Sequence, residues 1–149
     1  IKENLNSKFV GITNKKNLNN GITFRRVMEL IQVSKKIEEK IKTLELGREI
    51  LKEYAKNKAE TITEYEKRIA VVLIRLKNGS EFELEGETIK NPPASIMEKI
   101  VKGICFQEKL AMELAEAQYK NAIVGMGAIE AELNGYQSIF RYISHEPGN

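Results

Sequence analysis

The chain has 149 residues, of which 42% are hydrophobic, a length typical of one domain, and no apolar run in it is long enough to cross a bilayer. Its one cysteine, Cys105, excludes a disulfide within the chain and a cysteine-based metal cluster, and its one histidine, His145, excludes a metal site built from several histidines. The N-terminal residues lack the basic, apolar and small-residue pattern of a secretory signal, so we expect a cytoplasmic protein.

The net charge of +3 hides a basic N-terminal segment. Residues 1–26 hold six basic residues and one acidic residue, a net charge of +5, whereas the other 123 residues hold 18 basic and 20 acidic residues, a net charge of −2. Asparagine and glycine, frequent in this segment, favour turns over helix. We therefore expect an arm that either pairs as two short strands, "FVGIT" and "GITF", or is disordered. Its candidate phosphate contacts are Lys8, Lys15, Lys16, Arg25 and Arg26.

From Val27 to Leu76, positions at alternating steps of three and four residues form an apolar stripe. Twelve of its fifteen positions are apolar, and the exceptions are Ser34, Arg48 and Lys58. This spacing predicts a helix over about residues 27–77 with one apolar face, as in coiled coils and long helical hairpins.

The sequence "RLKNGSEFEL" is compatible with two structures. Asn78-Gly79 follows a β-branched run, a pattern typical of a β-hairpin turn, but the same pair can end a helix with the glycine in a left-handed conformation. We favour the helix end, because the stripe continues to Leu76 without a break and a strand would reset the period to two. The β-hairpin is the alternative.

An extended acidic connector is predicted over residues 78–94. Four glutamates alternate with Phe82 and Leu84, which gives one apolar face. Their spacing lacks the turn glycine and graded oxygen ligands of a calcium loop, so we predict no metal site. Candidate contacts for a partner protein are Glu81, Glu83, Glu85 and Glu87.

A second helix is predicted over about residues 95–144. Pro92-Pro93 favours extended backbone just before it, and a second stripe from Val101 to Ile143 has twelve apolar residues at thirteen positions. Together the segments predict a mainly α fold, a long antiparallel helical hairpin over residues 27–149 with the arm of residues 1–26 before it.

The two predicted helices carry more apolar residues than they can cover between them. This excess predicts a homodimer or higher homo-oligomer. The second helix has a widened apolar face in its first half, where Leu114 and Ala117 add to the stripe. It also contains Gly125, Gly127 and Gly135, which each weaken a helix by about 1 kcal/mol relative to alanine. We expect these glycines to allow close approach of a neighbouring backbone.

No set of residues in the sequence indicates catalysis. His145 has no nucleophile at a defined spacing, and Cys105 lies on the apolar stripe without a neighbouring histidine. We therefore predict that the protein is not an enzyme and uses no cofactor.

The segments "GETIKNPPASIMEKIVKGICFQEKLAMELAEAQYKNAI" and "ELNGYQSIFRYISHE" resemble a family of short, largely helical, uncharacterised proteins of phages and prophages of Gram-positive bacteria. The resemblance covers about residues 50–145 and rests on Pro-Pro, "KG", "AEAQYK" and "NGYQS". Such proteins are encoded in early regions, near recombination and replication genes.

This resemblance implies a context rather than a chemistry, and it implies no catalytic residue. The function we expect is a non-enzymatic interaction protein that binds a host or defence protein in the cytoplasm of the bacterial host. The alternative is a nucleic-acid-binding accessory of phage recombination or replication that binds DNA through the basic arm.

Overall fold

The computed structural model describes the backbone of residues 3–145 and the side chains of residue 21 and residues 23–145. Along the chain lie helix α1 (Glu3–Lys77), strands β1 (Phe82–Leu84) and β2 (Glu87–Ile89), and helices α2 (Ala94–Ile104) and α3 (Phe106–His145). The fold is mainly α-helical, as predicted, and includes a small two-stranded antiparallel sheet.

The chain divides into two compact units. The first unit comprises Ile1–Glu45 and Gly127–Asn149, and the second unit comprises Leu46–Met126. Helices α1 and α3 therefore contribute a segment to each.

In the first unit the segments of α1 and α3 run antiparallel. Arg26 lies near the end of α3, where its Nε donates a hydrogen bond of 2.7 Å to the carbonyl oxygen of Ile143. Farther along α1, Lys40 forms an ion pair with Glu132.

The second unit repeats the antiparallel arrangement. Arg68 of α1 faces Glu108 of α3, and Lys58 faces Glu116 at 3.7 Å. The Lys58 ammonium also lies 5.2 Å from the centre of the Tyr119 ring, a cation–π distance. Lys58 is one of the three polar positions of the first stripe, and its charge is paired with Glu116 and Tyr119 of α3.

The apolar stripes coincide with the buried faces of the helices. All thirteen positions of the second stripe are buried or half-buried, and Val101, Cys105 and Ala115 are the most buried of them. The first stripe is buried at Leu44, Val72 and Leu76. Its exposed positions are Val27, Ile41, Arg48 and Ala55.

A buried cluster lies in the second unit, where Val72 and Leu76 of α1 meet Val101 and Cys105. Burial raises the pKa of the Cys105 thiol, which keeps it neutral and makes it a small apolar group here. The half-buried residues around this cluster are Tyr65, Ile69, Leu73, Phe82, Ile89, Met97, Ile100 and Ile104.

Helix α1 ends as predicted, with Gly79 in the left-handed conformation at φ +82°. The Ser80 N–H donates to the Arg75 carbonyl at 2.9 Å, and the Gly79 N–H donates to the Leu76 carbonyl at 3.1 Å. These two bonds form a Schellman motif, which satisfies carbonyls that the helix itself leaves open. The alternative, a hairpin turn at Asn78-Gly79, is wrong.

Three predicted features differ in the structure. Helix α1 begins at Glu3 and not near residue 27, so residues 3–26 are helical rather than paired as strands or disordered. The physical reason is cooperativity, since each residue added to an existing helix gains a hydrogen bond without a new nucleation cost. This gain outweighs the low helix propensity of asparagine.

The connector is also more regular than predicted, because residues 82–89 form a β-hairpin. Its turn is at Glu85-Gly86, where both residues have positive φ, +53° and +82°, the pattern of a type I′ turn. The second helix is divided at Cys105, where ψ is +26° instead of a helical value, so α2 and α3 replace a single helix.

The glycines of α3 do not bring another backbone close within the described chain. A Cβ atom added at Gly125, Gly127 or Gly135 would have no side chain beyond the two chain neighbours, and no backbone beyond its own helix, within 4 Å. The close contact occurs at Gly47, where an added Cβ would overlap the sulfur of Met126. The expectation about the α3 glycines is therefore wrong for contacts within this chain, because their Cβ positions face open space.

Gly135→Ala is expected to raise the free energy of unfolding by about 0.5–1 kcal/mol, since alanine lowers the backbone entropy lost on helix formation and meets no neighbour. Gly47→Ala is the matched control and is expected to gain less, because Met126 must move. Urea denaturation followed by circular dichroism measures both. A destabilised Gly135→Ala protein would contradict the open space assigned to this position.

Candidate protein-binding surface

An apolar groove of about 400 Å³ lies between α1 and α2 in the second unit. Its floor is apolar because α2 turns positions 94, 97 and 101 toward α1, at the three- and four-residue spacing that places side chains on one helical face. Helix α1 contributes Ile69 and Leu73, one turn apart. The lining residues are Ile69, Leu73, Lys77, Ala94, Met97, Glu98, Val101 and Lys102.

The rim of this groove carries two cations and one carboxylate. The Lys102 Nζ donates to Glu98 Oε1 at 2.6 Å across one helical turn. This hydrogen bond raises the pKa of Lys102 and lowers the pKa of Glu98, so both stay charged at neutral pH. Lys77 has no ion-pair partner among the residues that the structure describes, and it lies in the last turn of α1, where the helix dipole favours a cation. The rim is therefore net positive.

Pro93 defines where α2, and with it one wall of the groove, begins. Its backbone is extended at φ −56° and ψ 144°, and Ile96 N–H donates to its carbonyl at 3.1 Å. The predicted start near residue 95 is confirmed, since α2 begins at Ala94. Because a proline forces the residue before it into extended geometry, α2 cannot begin earlier in the chain, and this wall of the groove starts at Ala94.

The β-hairpin presents its acidic residues from a rigid base. Phe82 and Ile89 face each other across the two strands and pack against the buried cluster, and Leu84 approaches the Cβ position of Gly103 to 3.5 Å. These contacts hold the two strands against α2, so the outward residues are fixed in place.

All four predicted partner-contact glutamates are exposed on this hairpin. Glu81 pairs with Lys90 at 2.6 Å, Glu83 lies opposite Thr88, and Glu85 occupies the turn before Gly86, followed by Glu87. Residues 80–91 hold four glutamates and one lysine, a net charge of −3. Within the described residues, no group of three or more potential ligand side chains is placed to hold a metal ion.

The five arm cations are placed only in part. Residues 8, 15 and 16 are helical, but the side chains of Lys8, Lys15 and Lys16 lie outside the described residues. Arg25 is exposed, whereas Arg26 is half-buried and donates to the Ile143 carbonyl. Arg26 thus contributes to the packing of the first unit. Binding of DNA through these residues stays a prediction.

The groove residues were missed by the sequence analysis. Ile69 lies on the predicted stripe, but Leu73 does not, and together they form a second apolar row along the end of α1. This second row widens the apolar face of α1, and an amphipathic α2 follows directly after a Pro-Pro pair. These two features together could have indicated the groove.

No helix among the described residues has the length and hydropathy needed to span a membrane. No protein-family model matches the chain, and neither a curated protein nor a solved structure matches it. The resemblance to phage proteins therefore stays a prediction from the sequence.

Proposed function

We propose that this protein is a non-enzymatic interaction protein that binds another protein and modulates its activity. The observation that carries the proposal is the apolar groove between α1 and α2. The sequence resemblance to phage proteins makes the proposed target a host or defence protein, met in the cytoplasm of the bacterial host cell.

The chemistry of the groove defines the kind of segment that it would bind. Apolar side chains from Ile69, Leu73 and Met97 would release water when an apolar partner side chain enters, and such burial supplies most of the affinity in helix-in-groove recognition. The net positive rim, with Lys77 unpaired, favours a segment that has a carboxylate beside its apolar residues. We therefore propose an amphipathic segment with acidic flanks as the occupant.

The acidic hairpin would contribute to the same recognition through its charge. A rigid hairpin of net charge −3 attracts a basic region on the partner, which raises the association rate more than the affinity. Glu83, Glu85 and Glu87 have no cation partner among the described residues, so their carboxylates are available to that region.

The ionisable groups of the groove support binding rather than catalysis. A general acid or base works best with a pKa near the operating pH. The pKa of Glu98 is lowered and that of Lys102 is raised by their mutual hydrogen bond, so both shifts lead away from neutrality.

The test is capture from a lysate of Gram-positive bacteria with two matched variants of the immobilised protein. Ala94 lines the groove and is exposed, so Ala94→Arg should fill the groove without disturbing the buried cluster. Ser95 is also exposed but does not line the groove, so Ser95→Arg is the control. We expect a partner recovered by the wild type and by Ser95→Arg, and recovered at least about tenfold less by Ala94→Arg, a loss of about 1.4 kcal/mol.

Nuclease treatment of the lysate separates the two functional hypotheses. Recovery that survives nuclease and depends on Ala94 supports protein binding at the groove. Recovery that ends with nuclease treatment supports the nucleic-acid alternative instead. Equal recovery by wild type and Ala94→Arg would contradict the groove as the binding site.

A further inference from the structure

Helix α3 has a second apolar row, on the face opposite the buried stripe. Within the second unit this row follows alternating four- and three-residue steps, the spacing of a coiled-coil seam. It lies two residues, about 200° around the helix, from positions 112, 115, 119 and 122, of which 115 is buried and the others are half-buried. Its positions are Leu110, Leu114, Ala117, Asn121 and Val124, of which Asn121 is the one polar residue.

The row is exposed to solvent. Leu110 and Leu114 are each 57% exposed, and Val124 is 72% exposed. Phe106, at the start of the helix, is 53% exposed beside the row. Four of the five positions of the row are apolar, with Asn121 as the exception, and exposed apolar residues at a common helical spacing are typical of an interaction site.

We propose that this face of α3, from Phe106 to Gly125, is a self-association surface that binds the same face of a second copy of the chain. The two α3 helices lie antiparallel about a two-fold axis that passes beside residues 115 and 116. Such an interface is isologous, so each contact occurs twice.

The antiparallel register pairs large residues with small or polar ones. Leu114 of one copy lies opposite Ala117 of the other, and Leu110 lies opposite Asn121. At the ends, Gln107 lies opposite Val124. A Cβ at Gly125 would meet nothing within 4 Å, so this end has room for the Phe106 ring of the second copy.

Charges beside the row select this orientation. Glu113 and Lys120 flank the row on the same side, and the antiparallel register places Glu113 of each copy beside Lys120 of the other. A parallel register would instead place Glu113 beside Gln118 and Lys120 beside Gly125, with no opposite charges. Charge complementarity therefore favours the antiparallel second copy.

Both charged groups are accessible for such pairing. The Glu113 side chain is 55% exposed and pairs with Lys109, and the Lys120 side chain is 66% exposed and pairs with Glu116. Exposed pairs along one helix are weak. The cross-chain contacts can extend these pairs into a four-residue network without burying an unpaired charge.

Sedimentation velocity over a range of concentrations tests the surface. The wild type is expected to show a concentration-dependent dimer, and Leu114→Glu is expected to raise the dimer dissociation constant at least about a hundredfold, because two carboxylates would enter the apolar row. Leu46→Glu, at a 68% exposed leucine of α1 in the same unit, is the matched control and should dimerise as the wild type does. Circular dichroism confirms that each variant is folded.

A charge reversal tests the register. Glu113→Lys alone and Lys120→Glu alone are each expected to raise the dissociation constant about three- to tenfold, since each places like charges together twice. The double variant restores opposite charges between copies and should return near the wild-type value. Failure of the double variant to recover would overturn the proposed register.

Cysteine cross-linking tests the orientation. In the antiparallel dimer, a mixture of Gln107→Cys and Val124→Cys proteins should form a mixed disulfide, whereas Val124→Cys alone should not, because positions 124 are about 25 Å apart along the helix. The native Cys105 is buried, and the wild-type protein is the control for any disulfide that Cys105 itself forms. Efficient cross-linking of Val124→Cys alone would overturn the antiparallel orientation. In sedimentation, a wild type that stays monomeric at millimolar concentration would overturn the self-association surface itself.

Discussion

Leu76→Ala is expected to lower the free energy of unfolding by about 2–5 kcal/mol. Leu76 is fully buried in the cluster formed with Val72, Val101 and Cys105, at the point where α1, α2 and the β-hairpin meet. Truncation removes apolar contacts and leaves a cavity that the surrounding side chains fill only in part. Urea denaturation followed by circular dichroism at 222 nm measures the loss.

Ile74→Ala is the control for this prediction. Ile74 lies two residues earlier on the same helix and is 59% exposed, so its truncation removes little buried area. The expected loss is below about 1 kcal/mol, consistent with exposed positions in general. Equal losses at positions 74 and 76 would contradict the placement of the buried face of α1.

Glu108→Ala is expected to lower the free energy of unfolding by about 1–2 kcal/mol. The Arg68 Nε is buried, makes no hydrogen bond within the described residues, and lies 3.4 Å from Glu108 Oε1. Removal of the carboxylate leaves a cation at the helix seam without its partner. The loss is smaller than that of a fully buried pair because the Arg68 side chain is 37% exposed and water screens the charge.

A double variant distinguishes the pair from its separate residues. Arg68→Met with Glu108→Leu should be close to the wild type in stability, since apolar residues of similar volume often replace such pairs without loss. Glu49→Ala, which breaks the exposed Lys52–Glu49 pair, is the surface control and should change stability by about 0.5 kcal/mol or less. A Glu108→Ala protein as stable as Glu49→Ala would contradict a structural role for the Arg68–Glu108 contact.

The two proposals lead to a joint consequence. A dimer formed through α3 would carry two copies of the groove between α1 and α2, so a partner with two acidic amphipathic segments could bind both. Such bivalent binding would strengthen capture without any new contact at either groove. The groove variant Ala94→Arg and the dimer variant Leu114→Glu separate the two contributions.

The candidate site was predictable in part. The sequence indicated an acidic segment with an apolar face at residues 81–87, and the structure places these glutamates on the exposed part of a hairpin whose apolar residues are packed inward. The hairpin itself was not predictable from "ELEGE", because a glutamate is an unusual residue for a positive φ, and Glu85 adopts φ +53° only within the turn. The groove depends on Leu73 and Met97, which are far apart in sequence and meet only after folding.

The sequence by itself determined the antiparallel helices, their buried stripes, the end of α1 at Gly79 and the start of α2 after Pro93. These features follow from the spacing of apolar residues and from the backbone restrictions of glycine and proline, which act over a few residues. Cooperative growth of α1, which the propensities of single residues do not capture, extends the helix over residues 3–26. Only the tertiary structure decided that Cys105 separates α2 from α3, and which apolar row of α3 is covered. Leu114 and Ala115 are neighbours in the chain, yet one is exposed and the other buried, because coverage depends on the residues that the other helix brings to each face.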